Sequence, residues 1–206
     1  MSLKDVEKFL EKFWFLFWRD DSLKGWIFSI IFLFIFIKFI FFPALSLLTG
    51  TSLPLAIVES CSMYHEGNLL SSFDKWKNSN SEKYSEFQLT GEDFENFTLK
   101  KGFNKGDILF IVGTKPEKIH IGDVIIFNAG TNNPIIHRVI NVENIDGKIS
   151  FSTIGDNNEG QLSIEKNISP DRIVGKASLR LMPYIGWIKL VFFEFQRSPS
   201  ERGFCE

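Results

Sequence analysis

Hydrophobic positions crowd into one block of this chain. From Trp26 to Leu48 the sequence is apolar almost without interruption, broken only by Ser29, Lys38, Pro43 and Ser46. About 20 such residues suffice for a helix to cross a bilayer, so this block predicts one transmembrane helix. It is longer than the apolar core of a cleaved secretory signal and starts later, which marks it as an anchor. Lys38 is costly in hydrocarbon and is expected to snorkel or to pair with a carbonyl. Ahead of the block, Val6 to Trp18 mixes apolar residues with Lys8, Glu11 and Lys12 before the run Phe13-Trp14-Phe15-Leu16-Phe17-Trp18. That mixture predicts a helix lying in the membrane interface.

Beyond residue 50 the pattern changes to short β-branched runs punctuated by Gly, Asn, Asp and Pro. Strands are predicted at Pro54 to Glu59, Ile108 to Val112, Val124 to Phe127, Ile135 to Glu143, Lys148 to Thr153 and Ile173 to Leu181. Turns fall at Lys105-Gly106-Asp107 and Asp146-Gly147-Lys148. The fold class is therefore mainly β, a small barrel or sandwich tethered by one N-terminal helix. Residues 65–104 exceed ordinary loop length and carry Ser71, Ser72, Asn78, Ser79, Asn80 and Ser81. They predict a polar insertion with some helix of its own and the character of a solvated loop. Tyr184 to Phe195 is apolar but too short to span, hence interfacial. The organisation expected is 1–25 cytoplasmic and amphipathic, 26–48 anchor, 49–183 extracytoplasmic domain with the 65–104 insertion, and 184–206 interfacial.

Composition sharpens this picture in two places. Many of the 23 Phe lie between Phe13 and Phe42, so the aromatic surplus belongs to the membrane segment and not to the globular core. The net charge of −2 is spread without a basic stripe, which sets nucleic acid aside as a partner. Lys4, Lys8, Lys12, Arg19 and Lys24 precede the anchor, whereas no Lys or Arg occurs from Phe39 through Phe73. The N-terminus is thus expected in the cytoplasm and the β-domain outside.

Ser62, in the run Pro54 to Tyr64, is a candidate nucleophile just beyond the membrane. A serine hydroxyl needs a base to take its proton. Of the histidines at 65, 120 and 137, only His137 falls in a predicted strand, and His65 and His120 read as structural. Taken alone, a strand histidine is more often bonded to a carbonyl, and Gly155-Asp156-Asn157-Asn158 is good turn chemistry. Cys61 and Cys205 suggest neither a disulfide framework nor a metal cluster. Cys61 competes as nucleophile, but in an extended run it would point away from Ser62.

The ordered motifs shift these weights. Ser60-Cys61-Ser62-Met63, Lys105-Gly106-Asp107, Gly122-Asp123-Val124-Ile125-Ile126-Phe127 followed by His137-Arg138-Val139, and Gly155-Asp156-Asn157-Asn158 occur in sequence behind one anchor, with Val174-Gly175-Lys176 and Pro183 to Trp187 after them. In this the chain resembles type I signal peptidases of the archaeal and endoplasmic-reticulum branch over most of its length after residue 50.

The resemblance implies a serine endopeptidase that removes signal peptides from exported preproteins after small-x-small sites at the outer face of the cell membrane. Ser62 would attack the peptide carbonyl, His137 would serve as general base, and the Ser62 amide with the Ser60 hydroxyl would meet the oxyanion. Asp156 is the first choice for the acid that orients His137. The family often carries a second Asp six residues later, where this chain has Leu162, so the flanking Glu159 and Glu165 are alternatives, with Glu165 the runner-up. No cofactor or metal is implied. The partners implied are preproteins, membrane lipid and translocation machinery. A membrane-anchored, catalytically inactive relative that binds exported chains is the rival reading.

Overall fold

The computed structural model describes residues 3–67, 73–131 and 133–205. The chain forms two compact units, Met1–Leu48 and Thr49–Glu206, each considered by itself.

In the first unit, helix α1 (Leu3–Trp18) is followed by α2 (Leu23–Phe36), a π-helical turn (Ile37–Phe41) and α3 (Phe42–Thr49). Ser22 caps α2 by accepting from the Gly25 amide at 3.2 Å. The π turn sits just before Pro43, which has no N–H and whose ring would clash with the carbonyl four residues back; widening the helix there relieves both faults. Together the helical stretch Leu23–Thr49 has 27 residues, and its most apolar window has a mean hydropathy of 2.6 with none of it buried in the protein. At 1.5 Å per residue that is about 40 Å, enough for hydrocarbon of roughly 30 Å. Lys38 lies over the Phe34 and Phe39 rings, 5.7 and 5.4 Å from their centroids, and among the described residues it does not have the carbonyl partner that was one expectation. On α1, Phe13 stacks edge-on against Phe28 and Phe32, and Phe17 against Phe32. The amphipathic helix therefore packs its aromatic face on α2.

The second unit is mainly β, as the period-two runs require. One antiparallel sheet holds six strands in the order β1-β2-β6-β3-β4-β5. They are β1 (Leu55–Ile57), β2 (Ile108–Val112), β3 (Val124–Phe127), β4 (Ile135–Ile145), β5 (Lys148–Ile154) and β6 (Ile173–Met182). Each strand predicted from the sequence is present, within a few residues. The β4–β5 hairpin turns on Asp146 and Gly147, both at positive φ, as a two-residue turn matched to strand twist demands. β1 ends at Ile57, so Ser62 lies beyond the strand in a turn where the Tyr64 amide donates to the Cys61 carbonyl at 3.0 Å. The alternation argument that set Cys61 opposite Ser62 in an extended run therefore does not apply.

The two Gly-Asp boxes are the same device used twice. Gly106 and Gly122 have φ of +90° and +91°, and each following Asp side chain accepts from the amide three residues before it, Asn104 to Asp107 at 2.8 Å and His120 to Asp123 at 2.9 Å. These turns launch β2 and β3. A Cβ on Gly106 would also strike the Trp187 ring.

The insertion is not a solvated loop. Of its polar residues, Ser71 and Ser72 lie outside the described residues; from Phe73 it forms α4 (Phe73–Ser85) and a 3₁₀ turn at Asp93–Asn96. Trp76, Tyr84, Leu89 and Phe94 are buried against Ile140 and Ile154 of the β4–β5 hairpin, and Phe73, Phe87 and Phe97 flank them. The polar residues cover the outside of a second apolar core. Replacing Phe94, which is 2% exposed, is therefore expected to cost about 3–5 kcal/mol as Phe94→Ala. Denaturant unfolding of the detergent-solubilised chain measures this, and a loss below about 1 kcal/mol would mean that the insertion is no core.

Candidate active site

One cleft of about 650 Å³ gathers Ser60, Ser62 and His137. Leu55 to Glu59, Asn133 to Ile136, Asn158 and Leu162 also line it. Ser60 and Ser62 hydroxyls lie 3.1 Å apart and share a hydrogen bond. Among the described residues neither hydroxyl is bonded to His137, and the Ser62 amide has no partner. The serine turn is set by the β5 exit loop: the Asn157 amide donates to the Ser62 carbonyl at 2.7 Å, and Asn157 Nδ2 donates to the Cys61 carbonyl at 3.2 Å.

His137 and Arg138 are neighbours in β4 and so point to opposite faces of the sheet. His137 Nδ1 is hydrogen-bonded to Glu165 Oε1. Glu165 is fully buried in the 3₁₀ turn Ser163–Glu165, where its other oxygen accepts from the Leu162 amide at 2.7 Å and Thr153 Oγ1 lies 3.4 Å from Oε1. With Nδ1 engaged, the ring nitrogen left for a substrate-side proton is Nε2.

The expectation that Asp156 orients His137 is corrected here. Register gives the reason. Arg138 pairs with Ile154 across the hairpin, residues opposite one another share a face, and Asp156 has the same parity as Ile154. Asp156 therefore belongs to the Arg138 face, whereas Thr153, opposite Val139, belongs with His137 and Glu165. Asp156 Oδ2 accepts from Arg138 Nη2 at 2.6 Å and from His65 Nε2 at 2.8 Å, and its Oδ1 from Tyr84 at 2.8 Å. Lys83 Nζ caps the Asp156 carbonyl at 2.6 Å. Arg138 spends its remaining donors on the Thr98, Gly122 and Leu99 carbonyls. Burial alone would raise the Asp156 carboxyl, but Arg138 and His65 outweigh it and hold it well below the usual carboxylate range. Among the described residues Glu159, the other flanking carboxylate, makes none of these contacts, and Glu165 is the carboxylate bonded to His137.

His65, read as structural, is so: it is buried with its ring stacked on Trp76 at 3.5 Å and ties the segment after Ser62 to Asp156, a partner that the sequence did not show. Sequence reasoning missed the disulfide. Cys61 is bonded to Cys205, with Cα atoms 5.5 Å apart, contrary to the expectation of no disulfide; it is therefore no competing nucleophile. Two cysteines 144 residues apart carry no spacing signal that could have revealed the pair.

Burial lowers the His65 imidazole against the opposing pull of Asp156, so the folded protein holds it neutral. Its folded pKa lies below its unfolded value near 6.5, so its contribution to stability is present above about pH 6.5 and is lost as pH falls toward the folded value. Thermal melting at pH 7.5 and 5.5 should show wild type losing stability on acidification by more than His65→Gln does; equal losses would contradict a buried neutral imidazole.

No family model matches the chain. Signal peptidase complex catalytic subunit SEC11C of Homo sapiens and of Mus musculus is 32% identical to it over 111 residues, 48% of this chain and 55% of that protein. Signal peptidase complex catalytic subunit SEC11 of Colletotrichum graminicola is 25% identical over 107 residues, 48% of this chain and 60% of that protein. The chain thus spans about half the length of the curated mammalian relatives it matches. These relatives are eukaryotic, so the archaeal side of the resemblance finds no counterpart among them.

Proposed function

We propose that this chain is a membrane-anchored serine endopeptidase of the signal-peptidase type, which removes signal peptides from exported preproteins after small-x-small sites. The observation that carries the reading is the single cleft lined by Ser60, Ser62 and His137, with Glu165 on the far nitrogen of His137. Similarity to SEC11 catalytic subunits supports it.

In this mechanism Ser62 Oγ attacks the scissile carbonyl as His137 Nε2 takes its proton, and the imidazolium returns that proton to the leaving amine. Glu165, and not Asp156, holds the ring and stabilises its charged form. The oxyanion is met by the free Ser62 amide and by Ser60 Oγ, which in the resting state is engaged with Ser62 Oγ. The Asp156–Arg138 pair holds the serine turn through the Asn157 loop without touching substrate. β1 is an edge strand whose residues line the cleft, which suits a substrate that binds extended and adds a strand.

The anchor Leu23–Thr49 would keep this cleft near a signal peptide's exit from the bilayer, with the N-terminus cytoplasmic and the β-domain outside the cell membrane. A disulfide in that domain supports the outer face, since such bonds persist in oxidising compartments. Ile188, Val191, Phe192, Phe193 and Phe195, all exposed, suit the expected interfacial contact with lipid. Translocation machinery remains the partner implied by resemblance. The inactive-relative reading rests on Ser62 being bonded to Ser60 and not to His137.

Incubating the detergent-solubilised chain with a preprotein separates the two. Cleavage that Ser62→Ala abolishes, and that Ser60→Ala slows about 10²- to 10³-fold, is expected; no Ser62-dependent product after a small-x-small site would leave the inactive relative. Glu165→Gln should slow cleavage with the melting temperature nearly kept. Asp156→Asn should instead lower stability, because it leaves the Arg138 charge buried and unpaired. The opposite assignment of the two losses would return the orienting role to Asp156.

A further inference from the structure

The disulfide joins the middle residue of Ser60-Cys61-Ser62 to a segment that contributes to the cleft lining. After β6, residues 184–205 double back over the Lys105–Gly106 turn. The Gly186 amide donates to the Gly106 carbonyl at 2.7 Å, and Trp187 Nε1 donates to the Lys105 carbonyl at 3.0 Å. Lys105 is 1% exposed; its Nζ meets Glu194 Oε2 at 2.9 Å and the Glu201 carbonyl at 2.6 Å and lies over the Trp187 ring. The Lys105 amide reaches Cys205 Sγ at 3.5 Å, and Phe204 packs on Trp187. Cys205 is thus a fixed point. The same segment contributes Lys189, Arg197 and Glu201 to the cleft wall, and Lys189 and Arg197 pair with Glu59, at 3.2 and 2.9 Å, one residue before Ser60.

We propose that Cys205, through its bond to Cys61, is the positioning residue for the nucleophile turn, so that the 187–205 strap holds Ser60 and Ser62 in register with His137. This rests on the peptidase reading. The physical need is plain. On one side the turn is held by Asn157, which grips the Cys61 and Ser62 carbonyls. Among the described residues, Glu59 beside it is held by Lys189, Arg197 and Asn133 and the Met63 carbonyl by the Phe103 amide, but the disulfide is the covalent tie at Cys61 itself. Without the covalent tie, Ser60 and Ser62 keep only non-covalent constraints, through Asn157 and through the neighbouring Glu59 and Met63. A displacement of about 1 Å at a reacting atom can cost up to about 10²-fold in rate. Cys61 and Cys205 act through the serines, and neither touches substrate in this scheme.

The test compares the oxidised full chain with the chain reduced by dithiothreitol, at a temperature well below the melting point of both. The dithiol is oxidised to its cyclic disulfide, the Cys61–Cys205 bond takes up two electrons, and each sulfur gains a proton. Thiol labelling and mass spectrometry verify the reduction. The expected result is a fall in kcat of about 10- to 100-fold with KM within about twofold, and faster amide hydrogen exchange in residues 59–64. Reoxidation restores both. The Cys61→Ala, Cys205→Ala double variant should match the reduced enzyme and ignore dithiothreitol. Verified reduction with unchanged kcat and exchange would overturn the proposal, as would a rise in KM alone, which would make the strap only a wall. Should the oxidised chain cleave no preprotein, the peptidase reading fails, and the exchange measurement still decides whether the disulfide holds the turn.

Discussion

The alternation of side chains along β4 is the constraint from which the site follows. His137 and Arg138 cannot share a face, so one strand supplies a histidine to the cleft and a guanidinium to the protein interior. Each then requires its own carboxylate. Glu165 meets the histidine, and Asp156, on the parity of Ile154, meets the arginine. A single acid could not have served both. The buried Arg138–Asp156 pair would be expensive to desolvate without further partners. It is satisfied by His65, Tyr84 and three backbone carbonyls.

Most of those partners come from the insertion and the residues bordering it. α4 brings Tyr84 to Asp156 and Trp76 to the His65 ring, and the later part of the insertion offers the Thr98 and Leu99 carbonyls. The insertion is thus the far wall of a polar network whose near wall is the nucleophile turn. Contacts pass from Arg138 to Asp156, from the Asp156–Asn158 loop through Asn157, and on to the carbonyls of Cys61 and Ser62. Loss of activity on removing Asp156 would therefore say little about catalysis by itself.

The strands were legible because alternation and turn residues are local. The hairpin at Asp146-Gly147 and the turns at Gly106 and Gly122 need positive φ, and glycine announces that need. The long apolar helix was equally plain in Trp26 to Leu48. What stayed hidden depended on partners distant in sequence. Leu162 stands where a second Asp was expected; the sequence offered Glu165 as the runner-up, and the fold of Ser163–Glu165 decides for it by bringing that carboxylate to His137. The register that sends Asp156 to Arg138 follows from the hairpin pairing, which the strand pattern implies but which the motif alone obscured. The apolar positions of the insertion were diluted among serines and asparagines, so its core could not be seen by composition. Cys61 and Cys205 could be paired only once the strap was in place.

The central claim is that Glu165 works through His137. A double-mutant cycle on kcat/KM for preprotein cleavage, using His137→Ala, Glu165→Ala and the pair together, tests it most directly. Residues that act as one unit give a double variant about as slow as His137→Ala alone, which is the result expected. A double variant slower by the product of the two single losses would contradict the account, because Glu165 would then act independently of the base.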